Sequence, residues 1–204
     1  MAPSTQVVFV RHAQTESIIN NRIHGQTDAP LTQKGIRDAH KTADFLRNQS
    51  FGAFYSSPLG RAICTSEIIG SALKMDPEPM DGLMERYYGW LEGKPLKFFE
   101  PDLSGPFFMR PIIQLALKVS GESGESFVSR VINTFNQIAA KHKGERVLIV
   151  LHWGNLSILA QHLQGRDLSI WRGIGPWTSC GISEFHQNGG AWKLVHLNQS
   201  DHLI

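Results

Sequence analysis

Short runs of apolar residues along the chain predict the buried strands of a sheet. Residues 7–10 are a β-branched run that ends abruptly at Arg11-His12, and residues 146–151 form the most strand-like stretch of the sequence. Residues 53–56 give a third short strand. Runs of this kind are typical of parallel sheets, whose strands are covered on both faces.

Helices are predicted between and after these strands. They cover residues 32–48, 57–71, 127–139 and 155–163, and the third presents one clear apolar face. Thr32 is the expected N-cap of the first helix. Ser57 is the expected N-cap of the second, with Pro58 at its first helical position. We interpret residues 13–30, which are rich in Asn, Gly, Thr and Asp, as a loop.

Strands that alternate with helices predict an α/β fold, because parallel neighbours need helical crossovers. We expect a three-layer α/β/α sandwich with a mainly parallel sheet. Residues 181–186 and 192–197 flank the turn residues 188–190 and predict a hairpin, which supplies one antiparallel element.

The middle of the chain has a different character. Prolines and phenylalanines interrupt short apolar pieces over residues 95–120, and Pro restricts both itself and its predecessor. We therefore predict a small inserted lobe within about residues 85–125, with a lid at about 94–122. Its apolar side chains could cover a substrate with a hydrophobic part or could form the lobe's own core. Residues 1–204 are otherwise expected to form a single domain.

Composition narrows the possible functions. Hydrophobic residues make up 41% of the sequence and charged residues 19%, as in ordinary globular proteins. A formal charge of +2 is too mild to predict a nucleic-acid groove. The first residues lack a basic segment followed by an apolar one, and no later stretch approaches the length of a membrane span. We expect a cytoplasmic protein that binds neither nucleic acid nor membranes.

Cysteines and histidines do not form metal-binding patterns. Cys64 and Cys180 lie far apart, so we expect two small buried or semi-buried thiols. The nine histidines lack the short spacing of zinc-binding helices. His142, between two lysines, is expected to be solvated. We therefore expect no metal and no other cofactor.

The ends of the predicted strands carry the residues with the strongest chemistry. Arg11-His12 follows the first strand, Arg61 lies in the first helical turn after the second, and His152 follows residues 146–151. Ligands of open α/β sheets bind at the edge formed by the carboxyl ends of the strands. An anion there would relieve the unfavourable position of a cation in a first helical turn. Taken alone, Arg61 could equally extend to solvent.

A cationic pocket with two imidazoles suits phosphoryl transfer through a phosphohistidine. His12 is the better nucleophile of the two, and we expect Arg11, Arg61 and a protonated His152 to lower its pKa by repulsion between like charges. A departing alkoxide also needs a proton. Glu85, close to tyrosines and a tryptophan, is the strongest candidate acid, although it could instead be a surface carboxylate.

These stretches together resemble the histidine phosphatase superfamily, in its phosphoglycerate mutase-like branch. The resembling blocks are Arg11 to Thr15 with Gly25, Asp28 and residues 30–32; Ser56 to Ala62; Leu83, Glu85, Gly89, Glu92 and Gly93; Gly121 to Ser123 with Arg130; and His152 with Gly154. They cover nearly the whole chain in order. The resemblance implies that His12 is transiently phosphorylated, that Arg11, Arg61 and His152 hold the phosphoryl group, and that Glu85 acts as acid and then base.

Further positions around these blocks are expected to bind substrate. They are Thr15, His24, Gly25, Tyr88, Trp153 and Gly154. Trp153, like Trp177, differs from the small or polar residues that are common at its position in the family, and either tryptophan could narrow the pocket or belong to the core.

Two departures from the family pattern lie near His12. Ala13 replaces the usual glycine, which should be tolerated if the backbone angle there is ordinary. Ile18 replaces an asparagine that contacts the phosphoryl group in many members. That contact is either lost or supplied by Asn20 or Asn21, which affects rate and substrate choice.

We predict a phosphatase that hydrolyses phosphate monoesters of small phosphorylated metabolites. A cofactor-dependent phosphoglycerate mutase is the alternative, because residues 85–89 resemble the corresponding mutase stretch. The segment at about residues 94–122 argues against a mutase, since Arg110 is its only arginine and mutases use a paired-arginine segment there. A non-catalytic phosphate-binding protein on the same fold is the second alternative. The sequence leaves the substrate open and allows a homodimer.

Overall fold

A computed structural model describes residues 4–96, 119–168, 175 and 177–204. The strands are β1 (Thr5–Arg11), β2 (Ala53–Ser56), β3 (Glu78–Pro79), β4 (Arg146–Leu151), β5 (Ile182–Asn188) and β6 (Ala191–Gln199). They form one sheet of six strands in the order β3-β2-β4-β1-β5-β6. Only β5 runs against its neighbours, so the sheet is mostly parallel with one reversed strand, as predicted.

The α-helices of the described residues are α1 (Glu16–Ile19), α2 (Gln33–Leu46), α3 (Gly60–Leu73), α4 (Gly124–Lys141) and α5 (Trp153–His162). Short 3-10 helices cover Asp81–Leu83, Gly89–Leu91 and Asp201–Leu203. Thr32 caps α2 as predicted, because its side chain accepts a hydrogen bond from the N–H of Gly35.

The start of α3 was predicted wrongly. The helix begins at Gly60 after Leu59, which makes no side-chain capping bond, and Ser57 with Pro58 lies outside it. The Ser57 hydroxyl lies 2.7 Å from Nε2 of His152, a residue on another strand end. A tertiary hydrogen bond therefore uses the side chain that the local pattern assigned to the helix cap.

The sheet separates two hydrophobic cores, which gives the predicted three layers. Along β1, Val7 and Phe9 pack into a core with α4 and α5, whereas Val8 and Val10 pack against α2 and α3 on the opposite face. All four side chains are buried. Burial on both faces explains why the strand reads as a continuous apolar run.

Several smaller expectations were wrong. Helix α1 lies where the sequence indicated loop, because it is too short to give a periodic pattern, and strand β3 is too short for the same reason to have been predicted. Cys64 is exposed, although Cys180 is buried. His142 is buried rather than solvated, since its ring nitrogens lie 2.9 Å from the Tyr55 hydroxyl and 2.8 Å from a carboxylate oxygen of Glu145.

The predicted inserted lobe falls mainly on residues 97–118, which lie outside the described residues. Its flanks are described: the 3-10 helix Gly89–Leu91 on one side and the start of α4 on the other. No helix within the described ranges is long and apolar enough to cross a membrane.

Candidate active site

The carboxyl ends of two neighbouring strands bring two histidines together. Arg11, the last residue of β1, pairs with Leu151, the last residue of β4, and the His12 N–H donates to the Leu151 carbonyl at 2.9 Å. His12 follows β1 and His152 follows β4, so both histidines lie at the same edge of the sheet. The ring centroids of His12 and His152 are 5.1 Å apart.

The environment of His12 selects a neutral imidazole with a free Nε2. The ring is buried, and Nδ1 lies 2.8 Å from the carbonyl oxygen of Ala13, which can only accept, so Nδ1 carries the proton and donates it. Burial, and then repulsion from Arg61 and Arg11, holds the pKa of His12 well below its usual value. The sequence had given repulsion as the cause, but burial is the larger effect. The lone pair on Nε2 is consequently available to a ligand.

Arg61 is buried at the start of α3 and is held by a loop between β1 and α2. Nη2 donates to the Gly25 carbonyl at 2.7 Å, and Nη1 donates to the Thr27 carbonyl and to Asp28, both at 3.1 Å. Asp28 also accepts from the N–H of Gly60 at 2.7 Å. This carboxylate balances the positive helix terminus and the guanidinium together. The possibility that Arg61 extends to solvent is therefore excluded.

Each arginine of the pocket keeps one buried donor without a partner in the described part of the chain. These donors are Nε of Arg61 and Nε of Arg11. Burial lowers the pKa of Arg11 to about 10 despite the attraction of Glu85, and it lowers that of Arg61 as well. Buried donors are normally satisfied. An anion that enters between the two guanidinium groups would satisfy them.

The Arg11 guanidinium is oriented by Trp177. Nη1 of Arg11 donates to the Trp177 carbonyl. The Trp177 indole is itself buried, and its N–H donates to the Ser157 hydroxyl at 2.8 Å. Of the two roles considered for Trp177, the structure therefore supports core packing, with the backbone carbonyl serving the site.

Glu85 lies beside the amino end of α5. One carboxylate oxygen accepts from the N–H of Gly154 at 3.0 Å, and the other accepts from the N–H of Arg86 at 2.8 Å. The side chain is only 8% exposed, so Glu85 is not a surface carboxylate. A Cβ on Gly154 would overlap the Glu85 carboxylate. Gly154 therefore admits the candidate acid to the site.

His24 and Thr15 form a second polar pair near His12. The Thr15 hydroxyl lies 2.8 Å from Nε2 of His24, whose ring centroid is 6.0 Å from that of His12. Burial, followed by repulsion from Arg61 and Arg11, lowers the pKa of His24 to about 3. A third neutral imidazole thus borders the candidate phosphoryl pocket.

A family model described as the histidine phosphatase superfamily (branch 1) matches residues 7–200. This chain belongs to that superfamily. The match confirms the resemblance stated from the sequence, and it covers every strand end that carries Arg11, His12, Arg61 or His152.

Comparison with individual proteins places this histidine phosphatase among phosphatases and mutase-like relatives. A metal-independent phosphoserine phosphatase from Arabidopsis thaliana is 35% identical over 205 residues, with 98% of this chain and 83% of the relative covered. A probable phosphoglycerate mutase GpmB from Yersinia pestis (strain Pestoides F) is 40% identical over 97 residues, or 48% of this chain and 45% of the relative. Among solved structures, Bacillus stearothermophilus YhfR gives a TM-score of 0.86 at 25% identity and covers 98% of this chain and 100% of its own.

Two of the expected substrate-binding residues lie in packed positions of this histidine phosphatase. Tyr88 is partly buried against Ile23 and Leu91, and the Arg86 guanidinium lies 5.4 Å from the centroid of its ring. Trp153 opens α5 and packs against the core on that face of the sheet. The structure therefore brings Thr15, His24 and Gly25 close to the histidine and arginine cluster, and it gives Tyr88 and Trp153 packing contacts.

The departures from the family pattern have clear local settings. Ala13 is buried with no positive φ, and its N–H donates to the Thr65 hydroxyl at 3.0 Å, so the alanine is accommodated. The side-chain amide of Asn20 donates to the Glu16 carbonyl at the end of α1. Asn20 is thus engaged on its own helix rather than directed to the position that Ile18 leaves without an amide.

Glu92 was matched to the family pattern but was assigned no role. One of its carboxylate oxygens accepts from the N–H groups of Gln26 at 2.8 Å and Tyr88 at 3.0 Å. The other accepts from the N–H of Thr27 at 2.9 Å and from its hydroxyl at 2.5 Å. Glu92 therefore joins the segment after Glu85 to the loop that holds Arg61. No sequence periodicity points to such a role.

Arg130 and Glu122 form a second supporting group that sequence reasoning missed. Arg130 donates to the carbonyls of Gly82 at 3.0 Å and Met84 at 2.9 Å, immediately before Glu85. Its guanidinium is paired with the Glu122 carboxylate at 2.7 Å. Their presence in one family-like block was the available signal. The described residues contain no group of three or more His, Cys, Asp or Glu side chains arranged to hold a metal ion.

Proposed function

We propose that this histidine phosphatase hydrolyses phosphate monoesters of small molecules through a phosphohistidine on Nε2 of His12. The observation that carries the proposal is the state of His12 itself. Its Nδ1–H is held by the Ala13 carbonyl and burial keeps the ring neutral, so Nε2 is unprotonated in a site that also feels the positive charges of Arg61 and Arg11. A neutral imidazole beside guanidinium groups is the arrangement that a nucleophilic histidine needs.

In the first step Nε2 of His12 attacks phosphorus and the ester P–O bond breaks. The electron pair of that bond leaves on the alkoxide oxygen, which takes a proton from the carboxylic acid of Glu85. Arg11 and Arg61 stabilise the negative charge on the phosphoryl oxygens through their buried Nε–H donors. His12 carries the phosphoryl group at the end of this step, with its Nδ1–H still bound to Ala13.

In the second step water attacks the phosphohistidine and the P–N bond breaks. Glu85, now a carboxylate, accepts a proton from the attacking water. The electron pair of the P–N bond returns to Nε2 of His12, and inorganic phosphate leaves. The enzyme thereby regains the neutral imidazole and the protonated acid with which the cycle began.

Guanidinium groups supply the positive charge that divalent ions supply in many other phosphoryl-transfer enzymes. Two arginines whose buried Nε–H donors have no partner among the described residues fit this role. A relative that matches 98% of this chain is named a metal-independent phosphoserine phosphatase, which supports activity without added metal. For the same reason phosphoserine is the first ester to test with this enzyme.

The proposal is tested by measuring phosphate release from a panel of monoesters, phosphoserine included, with and without EDTA. Release should persist in EDTA, and rapid acid-free quenching should trap a phosphoryl group on His12 that is labile to acid. The His12→Ala variant should show neither. Absence of the adduct during turnover would contradict the covalent route.

A phosphoglycerate mutase remains the second candidate, because 97 residues of such a relative, 45% of its length, align with this chain at 40% identity. The same assay distinguishes it. Incubation with 3-phosphoglycerate and a bisphosphoglycerate primer should release phosphate in a phosphatase and should yield 2-phosphoglycerate in a mutase. We expect phosphate release to be much the faster reaction.

Two finer expectations from the sequence stay proposals. They are a homodimeric state and a cytoplasmic location. Light scattering on the purified chain tests the first, and fractionation of the source cells tests the second.

A further inference from the structure

We propose that Ser57 is a positioning residue that fixes His152 in the tautomer with the proton on Nδ1. In this form the buried imidazole meets the phosphoryl group as a neutral hydrogen-bond donor. The role of His152 during turnover rests on the proposed phosphatase function, but the tautomer itself does not. Ser57 enters the site just after the end of β2, which lies next to β4, and His152 directly follows the end of β4.

The contact between the two side chains is short and shielded from water. The Ser57 hydroxyl lies 2.7 Å from Nε2 of His152, and both residues are fully buried. The backbone of Ser57 is fixed as well, because its N–H donates to the Val150 carbonyl at 3.0 Å. The distance alone permits either group to be the donor.

The surroundings of the hydroxyl decide the direction of this hydrogen bond. The Ser57 oxygen already accepts from the N–H of Leu59 at 3.3 Å. Its single hydrogen needs an acceptor, and a buried hydroxyl left without one is costly. Among the described residues, Nε2 of His152 is the acceptor that the hydroxyl reaches. The hydroxyl therefore donates to Nε2, so the proton of a neutral ring must lie on Nδ1.

His152 is held neutral in the free enzyme. Burial, and then repulsion from Arg61 and His12, keeps its pKa well below the usual value. The sequence-based expectation of a protonated His152 was therefore wrong for the free enzyme, because burial outweighs any stabilisation of the charged form.

Nδ1 of His152 is a buried donor that lacks a partner among the described residues. The ring lies beside the proposed nucleophile His12, at a centroid separation of 5.1 Å. A phosphoryl oxygen bound there would accept the Nδ1–H. The opposite tautomer would present a lone pair to the same anionic oxygen and would repel it. Ser57 thus determines, through the tautomer of His152, whether that imidazole attracts or repels the phosphoryl oxygen.

The direct test is ¹⁵N NMR of the imidazole nitrogens in the full-length protein at neutral pH, with the His152 signals assigned from a His152→Asn sample. We expect a protonated Nδ1 and an unprotonated Nε2 in the unsubstituted enzyme. In Ser57→Ala, which removes the only hydroxyl that reaches Nε2 among the described residues, the protonated form should shift toward Nε2–H. A protonated Nε2 in the unsubstituted enzyme would overturn the proposal.

The kinetic test compares neighbouring serines. Ser57→Ala should lower kcat/KM by about 10- to 100-fold, the range expected for losing one hydrogen bond to a charged group. Ser56→Ala removes an equally buried hydroxyl that bonds Ser66 and the Ser57 carbonyl, and it should change kcat/KM by no more than about threefold. Ser57→Thr keeps a hydroxyl and should restore most of the rate and the Nδ1–H signal.

These two measurements separate failure of the inference from failure of the function. If the protein hydrolyses no ester, the NMR result still decides the tautomer, since it needs no substrate. If it is active and Ser57→Ala matches Ser56→Ala in both rate and tautomer, Ser57 has no positioning role.

Discussion

The carboxylate of Glu92 occupies the space in which a side chain on Gly25 would have to lie. Gly25 also has a φ of +58°, a conformation that favours glycine. Its carbonyl accepts the Nη2–H of Arg61 at 2.7 Å. The position of Arg61, one of the two arginines proposed to bind phosphate, therefore depends on the absence of a side chain at residue 25 and on the carboxylate that fills the gap.

Gly25→Ala should impair both stability and catalysis. The new methyl group must displace Glu92, which disturbs the carbonyls that hold Arg61, and we expect kcat/KM to fall about 10-fold or more. Gly93→Ala is the matched control, since Gly93 has a φ of +76° but nothing within 4 Å of an added Cβ. Both variants should lose about 1–2 kcal/mol of unfolding free energy to backbone strain. Equal kcat/KM values in the two variants would show that the position of Arg61 does not depend on Gly25.

Stability should fall as the pH drops through the ordinary titration range of histidine. Burial lowers the pKa of His12, His152 and His24 in the folded protein, so the unfolded chain binds protons that the folded one does not. The stabilisation that these neutral imidazoles contribute is therefore complete above the pKa of histidine in the unfolded chain, and it is lost as the pH falls below that pKa. From about pH 7.5 to about pH 5.5, we expect a loss of roughly 1 kcal/mol for each of these imidazoles.

Urea unfolding of His24→Asn checks this linkage. The variant removes one of the three imidazoles, so its loss of stability over that pH interval should be smaller by roughly 1 kcal/mol. His40→Asn removes an exposed imidazole on α2 and should leave the loss unchanged. Parallel losses in both variants would mean that the buried ring of His24 does not contribute.

Glu85→Gln should affect esters according to their leaving groups. An amide cannot deliver the proton that an alkyl alkoxide needs, so kcat/KM for a serine or sugar phosphate should fall about 100-fold or more. An activated aryl phosphate, whose leaving group departs without a proton, should lose much less. Glu122→Gln changes a partly buried carboxylate that supports the segment before Glu85 but lies outside the proposed proton path, so any loss it causes should be the same for both ester types. Equal losses with both ester types would remove Glu85 from the acid role.

The Arg61→Lys variant should lose most of its activity although it keeps the positive charge. The guanidinium donates to two carbonyls and a carboxylate and still presents Nε, whereas an ammonium cannot cover these directions from one atom. We expect kcat/KM to fall about 100-fold and inhibition by inorganic phosphate to weaken. Arg47→Lys, in an exposed pair with Asp44, should leave both values unchanged. An active Arg61→Lys enzyme would show that charge alone suffices.

Much of the fold was predictable because its signals are local. The strand at residues 146–151 was predicted with its observed bounds, and α2 carries its apolar face and its Thr32 cap within one segment. The cluster of His12, Arg61 and His152 was also predictable, since each follows the carboxyl end of a strand and these ends share one edge of a parallel sheet. The positions of the imidazole protons and the contacts that hold the site residues in place were not predictable from the sequence.

The sequence by itself determined the strand and helix pattern, the chemical groups at the strand ends and the family. Only the tertiary structure decided how those groups are held. Ser57 contacts His152 across 95 residues, and Glu92 binds Thr27 across 65. Such contacts arise when crossovers bring distant backbone together, and burial then sets the charge of each imidazole. Neither the partner of a hydroxyl nor the burial of a ring is encoded in the spacing of neighbouring residues.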